Sequence, residues 1–220
     1  TFLLPHESSV VMQETGVSMP KSGIAKSASE AVSMAKEIGM PVVMKIVSKG
    51  IIHKSDAGGV LVNVETEAAV AEGFDRIMAN AKKYKADAKI DGIEINEMIK
   101  EKTETIVGVR RDPIWGPTVM FGMGGIYVEI LKDVVFRGLP LGRNEARKMV
   151  HEIRAVKMLQ GARGAKPRDI DAIVETILRL GTLIRKVPAI SDMELNPVVV
   201  YEEGKGVKAL DVRILLVDKK

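Results

Sequence analysis

Three consecutive oxygen-bearing side chains are predicted to share one face of a strand near the end of the chain. The segment ISDMELNP reads as a strand, in which successive side chains point to opposite faces. Asp192, Glu194 and Asn196, together with Ile190, therefore lie on the same face. Carboxylate and amide oxygens are the ligands that hard cations such as Mg²⁺ prefer.

A hairpin adds a further carboxylate to this face. A turn within EEGKG sets Asn196 opposite Asp211 and Glu194 opposite Arg213, with Cβ atoms about 5 Å apart. Asn196 and Asp211 could then hold a Mg²⁺ ion that keeps most of its waters and is completed by phosphate oxygens. A slip in register would destroy the pair, and the alternative is a polar, solvent-facing side of an edge hairpin.

Lys45 and the loop that follows it suit a phosphate. Lys45 lies in the apolar run VVMKIVS. The ammonium group of a lysine in a buried strand must either pair with an anion or extend to the edge of the sheet. The loop KGIIHKSDAGG joins two strands, and its N–H groups could form an anion-binding concavity, although it is not a P-loop. His53 in this loop is either hydrogen-bonded to the backbone or a nucleophile that accepts a phosphoryl group.

The segment GIEINEMIKEKTETIVG joins the two halves of the chain. A strand that runs out at Glu97, Met98 and Ile99 leaves backbone donors and acceptors unpaired, which is what an adenine edge requires. Glu104 begins the next strand and could accept hydrogen bonds from ribose hydroxyls. Simple exposure of both glutamates is the alternative.

The composition excludes several other chemistries. The 220-residue chain has no cysteine and three histidines that are distant in sequence, so disulfides, thiolate nucleophiles and zinc sites are not expected. Its 33 basic and 29 acidic residues are interspersed and 4% of residues are aromatic, which argues against nucleic-acid binding. The apolar runs are too short for a bilayer and TFLLPHESSV lacks the regions of a secretory signal, so we expect a cytoplasmic protein with no membrane partner.

The elements that must position these residues indicate an α+β protein of two lobes divided near residues 98–104. Helices are predicted at 6–15, about 27–39, 66–84, about 144–159 and 168–186. Strands are predicted at 42–46, 60–64 and 92–98, then at TIVGVRR, PTVMFG, IYVEIL and DVVFR, and in a final hairpin of 189–201 with 207–217.

Several motifs follow one another in an order typical of one family. Lys45 is followed by HKSDAGGV at 53–60, EMI at 97–99, RRDPIWGPTVMFGMGGIYVEILKDVVFR at 110–137, ELNP at 194–197 and LDV at 210–212. Together they resemble an ATP-grasp domain, and more narrowly the beta subunit of the ADP-forming acetyl-CoA (acyl-CoA) synthetases. HKSDAGG argues against the sister family of succinyl-CoA synthetases.

The resemblance implies an α+β ATP-grasp fold whose two α/β lobes clamp a nucleotide. One lobe would comprise about 20–98 and the other about 99–220, with helix 6–15 packed on it. The implied reaction is acyl-CoA + ADP + phosphate ⇌ acid + CoA + ATP, through an acyl phosphate and a phosphohistidine. ATP or ADP and Mg²⁺ would be the cofactors, and a CoA-binding alpha subunit would be the partner in an α₂β₂ complex.

The resemblance also assigns roles to single residues. Lys45 would contact the nucleotide phosphates, and a loop would lie over them, consisting of Lys54, Ser55, Asp56, Ala57, Gly58 and Gly59. The hinge formed by Glu97, Met98 and Ile99 would bind adenine, and Glu104 would bind ribose. Asn196 and Asp211 would ligate Mg²⁺, Glu194 would orient a phosphohistidine and His53 would relay the phosphoryl group.

A regulatory nucleotide-sensing ATP-grasp module associated with an acyltransferase is the alternative function. A degenerate sensor would be expected to have lost part of the catalytic set. The presence of Lys45, Glu194, Asn196 and Asp211 favours the enzyme.

Overall fold

The computed structural model describes residues 1–3, 5–48, 50–51, 54–125, 128 and 130–217. The chain divides into two compact units, a smaller unit, Pro20–Lys100, and a larger unit formed by Thr1–Met19 and Glu101–Lys220. Each unit has its own sheet and its own cluster of buried apolar side chains. No helix of the described part of the chain is long and apolar enough to cross a membrane.

The α-helices whose two ends are described are α1 Pro5–Thr15, α2 Ala28–Ile38, α3 Glu67–Tyr84, α4 Arg143–Glu152 and α5 Ile170–Lys186. Two 3₁₀ helices span Val156–Met158 and Ala162–Gly164. The strands are β1 Ser22–Ala25, β2 Val42–Ser48, β3 Val60–Val64, β4 Ile90–Glu97, β5 Glu104–Asp112, β6 Gly116–Met123, β7 Val134–Gly138, β8 Ile190–Val200, β9 Val207–Ala209 and β10 Val212–Leu216.

The smaller unit is a four-stranded antiparallel sheet in the order β1-β4-β2-β3. Helices α2 and α3 contact each other and pack on the sheet. Alternation along β2 buries Val42, Met44 and Ile46 completely in the cluster that these helices share. Lys45 therefore lies on the opposite, open face of this sheet.

The larger unit is a six-stranded antiparallel sheet in the order β10-β8-β5-β6-β7, with β9 also paired to β8. Helix α5 packs across β5, β6 and β8, and α4 packs beside it. Val107 and Val109 of β5 point into this buried cluster. Because side chains alternate, Gly108 and Arg110 lie on the open face.

The predicted helix over 144–159 is wrong in its second half, because α4 ends at Glu152. Ile153 has an extended conformation with ψ 143°. The two carboxylate oxygens of Asp133, a side chain only 5% exposed, accept from the N–H groups of Arg154 and Ala155 at 2.8 and 2.9 Å. A residue outside the helix thus holds the chain in a non-helical turn.

Two further elements differ from the prediction. Strand β1, absent from the prediction, is only four residues long and owes its conformation to pairing with β4. The predicted strand IYVEIL lies partly outside the described residues, and within it Val128 is helical while Ile130 and Leu131 form a turn. Gly125, with φ +58°, accepts from the N–H of Val128 and turns the chain out of β6.

Candidate functional site

The register of the C-terminal hairpin is the one that the sequence predicts. Strands β8 and β10 pair Glu194 with Arg213. The N–H of Asn196 donates to the carbonyl of Asp211 at 3.1 Å. Asp211 lies in the short non-strand segment between β9 and β10. Asn196 and Asp211 therefore lie opposite each other.

The oxygen atoms at this point fit a hard cation. The Asn196 Nδ2 atom donates to Glu194 Oε1 at 3.2 Å, which leaves Asn196 Oδ1 as the amide atom that a cation could use. Asn196 and Asp211 are both exposed. No cluster of three or more His, Cys, Asp or Glu side chains suited to a metal is found in the described part of the chain. A pair of protein ligands suits Mg²⁺, which keeps several waters and takes substrate phosphate oxygens as further ligands.

The predicted shared face is correct for Asp192, Glu194 and Asn196 but wrong for Ile190. Leu215 of β10 pairs with Asp192, but the next residue, Leu216, pairs with Ile190. Ser191 is therefore an extra residue in β8, which is a β-bulge. This bulge turns Ile190 into the core, where it is 3% exposed.

A cavity of about 180 Å³ adjoins Glu194 on the open face of the larger sheet. Gly108 faces Glu194 on one side and Met120 on the other. Because Gly108 has no side chain, it leaves space at the base of the cavity. The other lining residues are Val109, Arg110, Thr118, Met120, Phe136, Asp192 and Met193.

Asp192 is the second carboxylate of this cavity. Burial raises the pKa of Asp192 above its ordinary value, and the charge of Glu194 adds to the rise. The guanidinium groups of Arg110 and Arg213 act in the opposite direction on the same pKa. Arg110, which pairs directly with Asp192 across β5 and β8, is a residue that the sequence reasoning missed. Strand alternation along TIVGVRR could have placed it on this face.

Lys45 lies on the open face of the smaller sheet and is half-buried. Its partners in the neighbouring strands are Val60 of β3 and Glu94 of β4. Asn96, two residues along β4 on the same face, has a buried Nδ2 atom that makes no hydrogen bond within the described part of the chain. Asn96 is a second polar group that the sequence reasoning missed.

The loop of Lys54 to Gly59 is one helical turn closed by its own backbone. The N–H of Gly59 donates to the carbonyl of Lys54 at 2.8 Å, and the N–H of Gly58 donates to the backbone carbonyl of Ser55 at 3.0 Å. This is a Schellman motif, with Gly58 at φ +59°. The Asn80 side chain fixes it by donating to the Gly58 carbonyl at 3.0 Å. In this conformation a phosphate can use N–H groups at the start of the turn, from Ser55 to Ala57, but not those of the two glycines. His53 lies outside the described residues.

In the segment Glu97, Met98 and Ile99, one of the two expectations is wrong and the other is confirmed. Glu97 is not unpaired, because its N–H donates to the Lys21 carbonyl at 2.8 Å and its Oε2 accepts from the Lys21 N–H at 3.1 Å. The backbone of Met98 and Ile99 makes no hydrogen bond with other described residues, as expected for a strand that ends at Glu97.

Glu104 begins β5, as predicted. Its carbonyl accepts from the N–H of Gly124 at 2.8 Å. A Cβ at Gly124 would lie 3.0 Å from the Cβ of Glu104, so the close approach of these two segments favours glycine. The Glu104 side chain is half-buried.

The fold and this arrangement of residues define a class of protein. The ATP-grasp domain family matches residues 1–216, and the chain belongs to that family. The expected resemblance to the beta subunits of ADP-forming acetyl-CoA synthetases is confirmed by the first of three relatives. The chain is 44% identical to the acetate–CoA ligase [ADP-forming] II subunit beta of Pyrococcus furiosus, over 98% of this chain and 92% of that subunit.

The other two relatives show how much of a ligase this chain represents. It is 50% identical to the 4-hydroxybutyrate–CoA ligase [ADP-forming] of Nitrosopumilus maritimus, over 96% of this chain but 30% of that protein. It superposes with a TM-score of 0.88 and 43% identity on the dinucleotide-forming acetyl-coenzyme A synthetase 1 of Ca. Korarchaeum cryptofilum, which contains coenzyme A and Ca-AMPCP, and the match covers 98% of this chain and 93% of that one.

A second structure of the Korarchaeum protein contains coenzyme A and Mg-AMPPCP. Its phosphohistidine segment points towards the nucleotide binding site. That structure matches with a TM-score of 0.85 and 39% identity, over 98% of this chain and 93% of that chain.

Proposed function

We propose that this chain is the nucleotide-binding subunit of an ADP-forming acyl-CoA ligase that catalyses acyl-CoA + ADP + phosphate ⇌ acid + CoA + ATP. The chain would transfer a phosphoryl group between ATP and a histidine on a CoA-binding partner subunit, in a cytoplasmic α₂β₂ complex. The observation that carries the proposal is that Asn196 and Asp211 are held opposite each other. Glu194 contacts Asn196 and also lines the adjoining cavity.

Asn196 and Asp211 are the residues that would hold Mg²⁺ beside the phosphates of ATP or ADP. When bound, the ion would offset the negative charge of the transferring phosphoryl group. Lys45 would supply a second positive charge to the phosphates, as a mobile point charge on a long stem.

Glu194 and the cavity suit the histidine that accepts the phosphoryl group. A carboxylate that accepts the N–H of a neutral imidazole leaves the lone pair of the second ring nitrogen free to attack phosphorus. The new N–P bond forms as the bond from phosphorus to its leaving group breaks; the leaving group is the ADP oxygen in direct transfer and the His53 imidazole in a relay. The cavity of about 180 Å³ is much larger than a single water, whose share of liquid volume is about 30 Å³, and it has room for a side chain.

The remaining residues would bind the nucleotide. The backbone of Met98 and Ile99, which makes no hydrogen bond with other described residues, would receive the adenine edge. Glu97 would fix the end of β4, and the Glu104 carboxylate would accept from ribose. The turn of Lys54 to Gly59 would cover the phosphates, and Ser55, Asp56 and Ala57 would offer their N–H groups. His53 would relay the phosphoryl group.

Two measurements test this proposal. Calorimetry on the chain alone should detect ADP binding that strengthens when Mg²⁺ is added. The chain mixed with its CoA-binding subunit and ATP labelled in the γ-phosphate should acquire acid-labile, base-stable label on histidine. The variant His53→Ala distinguishes a relay from direct transfer. If His53 relays the phosphoryl group, the variant should not label the partner subunit; if transfer is direct, the partner should still be labelled. Absence of any Mg²⁺-dependent ADP binding would contradict the nucleotide function itself.

A further inference from the structure

Two large apolar side chains are exposed at the tip of the hairpin between β5 and β6. Ile114 is 81% exposed and Trp115 is 78% exposed, more than any other large hydrophobic side chain of the described residues. Trp115 is also the single tryptophan of the chain. Large exposed apolar side chains are unfavourable in water, and tryptophan is among the residue types enriched at the energetic centres of protein interfaces.

The tip that carries these side chains is held in one conformation. The Asp112 Oδ1 atom accepts from the N–H groups of Ile114 and Trp115 at 2.8 and 2.9 Å. Gly116, with φ +73°, closes the turn, and β5 and β6 remain paired up to Asp112 and Gly116. A side chain presented from a fixed backbone loses less conformational entropy when it is bound.

Arg111, at the base of the hairpin, is hydrogen-bonded to the end of α5. Its guanidinium donates to the carbonyl of Val187 at 3.1 Å and to that of Ile184, and its Nε donates to Ile190 at 2.9 Å. Arg185 and Lys186 are exposed at this same end of α5. The base of the hairpin therefore lies beside a basic segment, which a partner surface bearing carboxylates would complement.

The strands below the tip lead directly to the proposed phosphoryl-transfer site. Along β5 the open face carries Arg110 opposite Asp192, and then Gly108 opposite Glu194. The six residue steps from Ile114 to Gly108 span at most about 20 Å, because β5 itself ends at Asp112. A subunit anchored at the tip thus needs only a short segment to reach Glu194.

We propose that Ile114 and Trp115 anchor the CoA-binding partner subunit, in an apolar pocket of the partner that is bordered by carboxylates. The inference rests on the proposed function. The chain corresponds to 30% of a single-chain ligase and to 92% of a separate beta subunit, so in the second arrangement no linker holds the two parts together. A separate subunit loses the high effective concentration that a linker provides, and a preformed apolar anchor can replace it.

The test is the affinity between this chain and the CoA-binding subunit from the same source, measured by calorimetry. The double variant Ile114→Ser, Trp115→Ser should weaken the complex about 30-fold or more, the range of interface hot spots. Tyr84→Ser, which removes an aromatic side chain 52% exposed at the end of α3, should leave the affinity unchanged. At saturating partner concentration the double variant should recover the unsubstituted rate of histidine labelling, because the tip docks the partner and takes no part in the chemistry.

Three outcomes overturn the inference. The first is an unchanged affinity in the double variant, and the second is an unsubstituted chain that binds Mg-ADP but forms no complex with the CoA-binding subunit. The third is self-association of the chain that the double substitution abolishes, which would make a second copy the occupant of the tip. Mg-ADP binding by the chain alone is measured separately, and its failure would contradict the proposed nucleotide function rather than the anchor.

Discussion

The backbone N–H of Asn196 donates to the carbonyl of Asp211 at 3.1 Å, which places their side chains side by side on the open face of the larger sheet. The bond forms where the strand opposite β8 is interrupted between β9 and β10. Asp211 sits in that interruption, and its Oδ1 accepts from the next N–H, that of Val212, at 2.9 Å. A backbone hydrogen bond across the hairpin thus aligns the two side chains that are proposed to ligate Mg²⁺.

Asp211→Asn should weaken the Mg²⁺ dependence of ADP binding. The substitution keeps the size of the side chain and its local hydrogen bond but removes the negative charge that a cation requires. We expect the Mg²⁺ concentration needed for half-maximal ADP binding to rise about tenfold, equivalent to about 1.4 kcal/mol. Calorimetry with and without Mg²⁺ measures this, with Asp87→Asn at an exposed position as the control. Equal Mg²⁺ requirements in both variants would remove Asp211 from the metal site.

Lys45→Met should slow phosphoryl transfer by about 10²–10³-fold in the reconstituted complex, the usual effect of deleting one preorganised electrostatic group. Methionine keeps most of the apolar stem but removes the ammonium charge. Lys83→Met, on the exposed end of α3, is the matched control. The measurement is the rate of histidine labelling from ATP, and near-normal turnover of Lys45→Met would refute the phosphate role.

Gly108→Val should block the cavity beside Glu194 without affecting nucleotide binding. A Cβ at Gly108 would already lie 3.4 Å from Met120 Cε, and the two methyl groups of valine would project into the floor of the cavity. We expect histidine labelling to fall at least about tenfold, a change equivalent to about 1.4 kcal/mol in the barrier, while the affinity for Mg-ADP stays constant. In the control Gly138→Ala the new Cβ meets no atom within 4 Å. Normal labelling in Gly108→Val would show that the acceptor histidine does not enter this cavity.

Asp192→Asn and Glu101→Gln should change stability in opposite directions at pH 7. The folded-state pKa of Asp192 is raised, mainly by burial, so folding disfavours its charged form and the asparagine variant should be more stable. That gain should diminish as the pH falls through the raised pKa, and it should vanish below the unfolded pKa of about 3.9.

Burial also raises the pKa of Glu101, but the N–H groups of Lys102 and Thr103 and the Arg168 guanidinium outweigh it and hold the pKa below its ordinary value. Glu101→Gln should therefore be less stable at pH 7, and its deficit should disappear as the pH falls through the lowered pKa. Melting temperatures of both variants and of the unsubstituted chain between pH 3 and pH 8 test the two signs. The same sign for both variants would contradict this electrostatic account.

Most of the site could be predicted from the sequence because it depends on local periodicity. Strand alternation placed Asp192, Glu194 and Asn196 on one face, and the short turn fixed the partner of Asn196. The N-terminal caps at Ser27 and Thr66 begin α2 and α3 as the sequence indicates. These features arise from interactions between residues that are near in sequence or are joined by a tight turn.

Other features depend on contacts between distant segments and could not be predicted. Asp133 ends α4 because its carboxylate accepts from two N–H groups twenty residues away. The bulge at Ser191 turns Ile190 into the core, since the larger sheet needs an apolar side chain there. The Schellman motif in the loop after Lys45 uses two N–H groups that composition alone offered to a phosphate.

The sequence by itself determined the kinds of group available for chemistry and the face of each strand on which they lie. Side-chain types and a period of two residues are properties of the chain alone. Only the tertiary structure decided which of these groups share a cavity, because Gly108 and Arg110 of β5 meet Asp192 and Glu194 of β8 across some eighty intervening residues. It also decided that Ile114 and Trp115 are exposed, since exposure depends on whether another segment packs over a side chain.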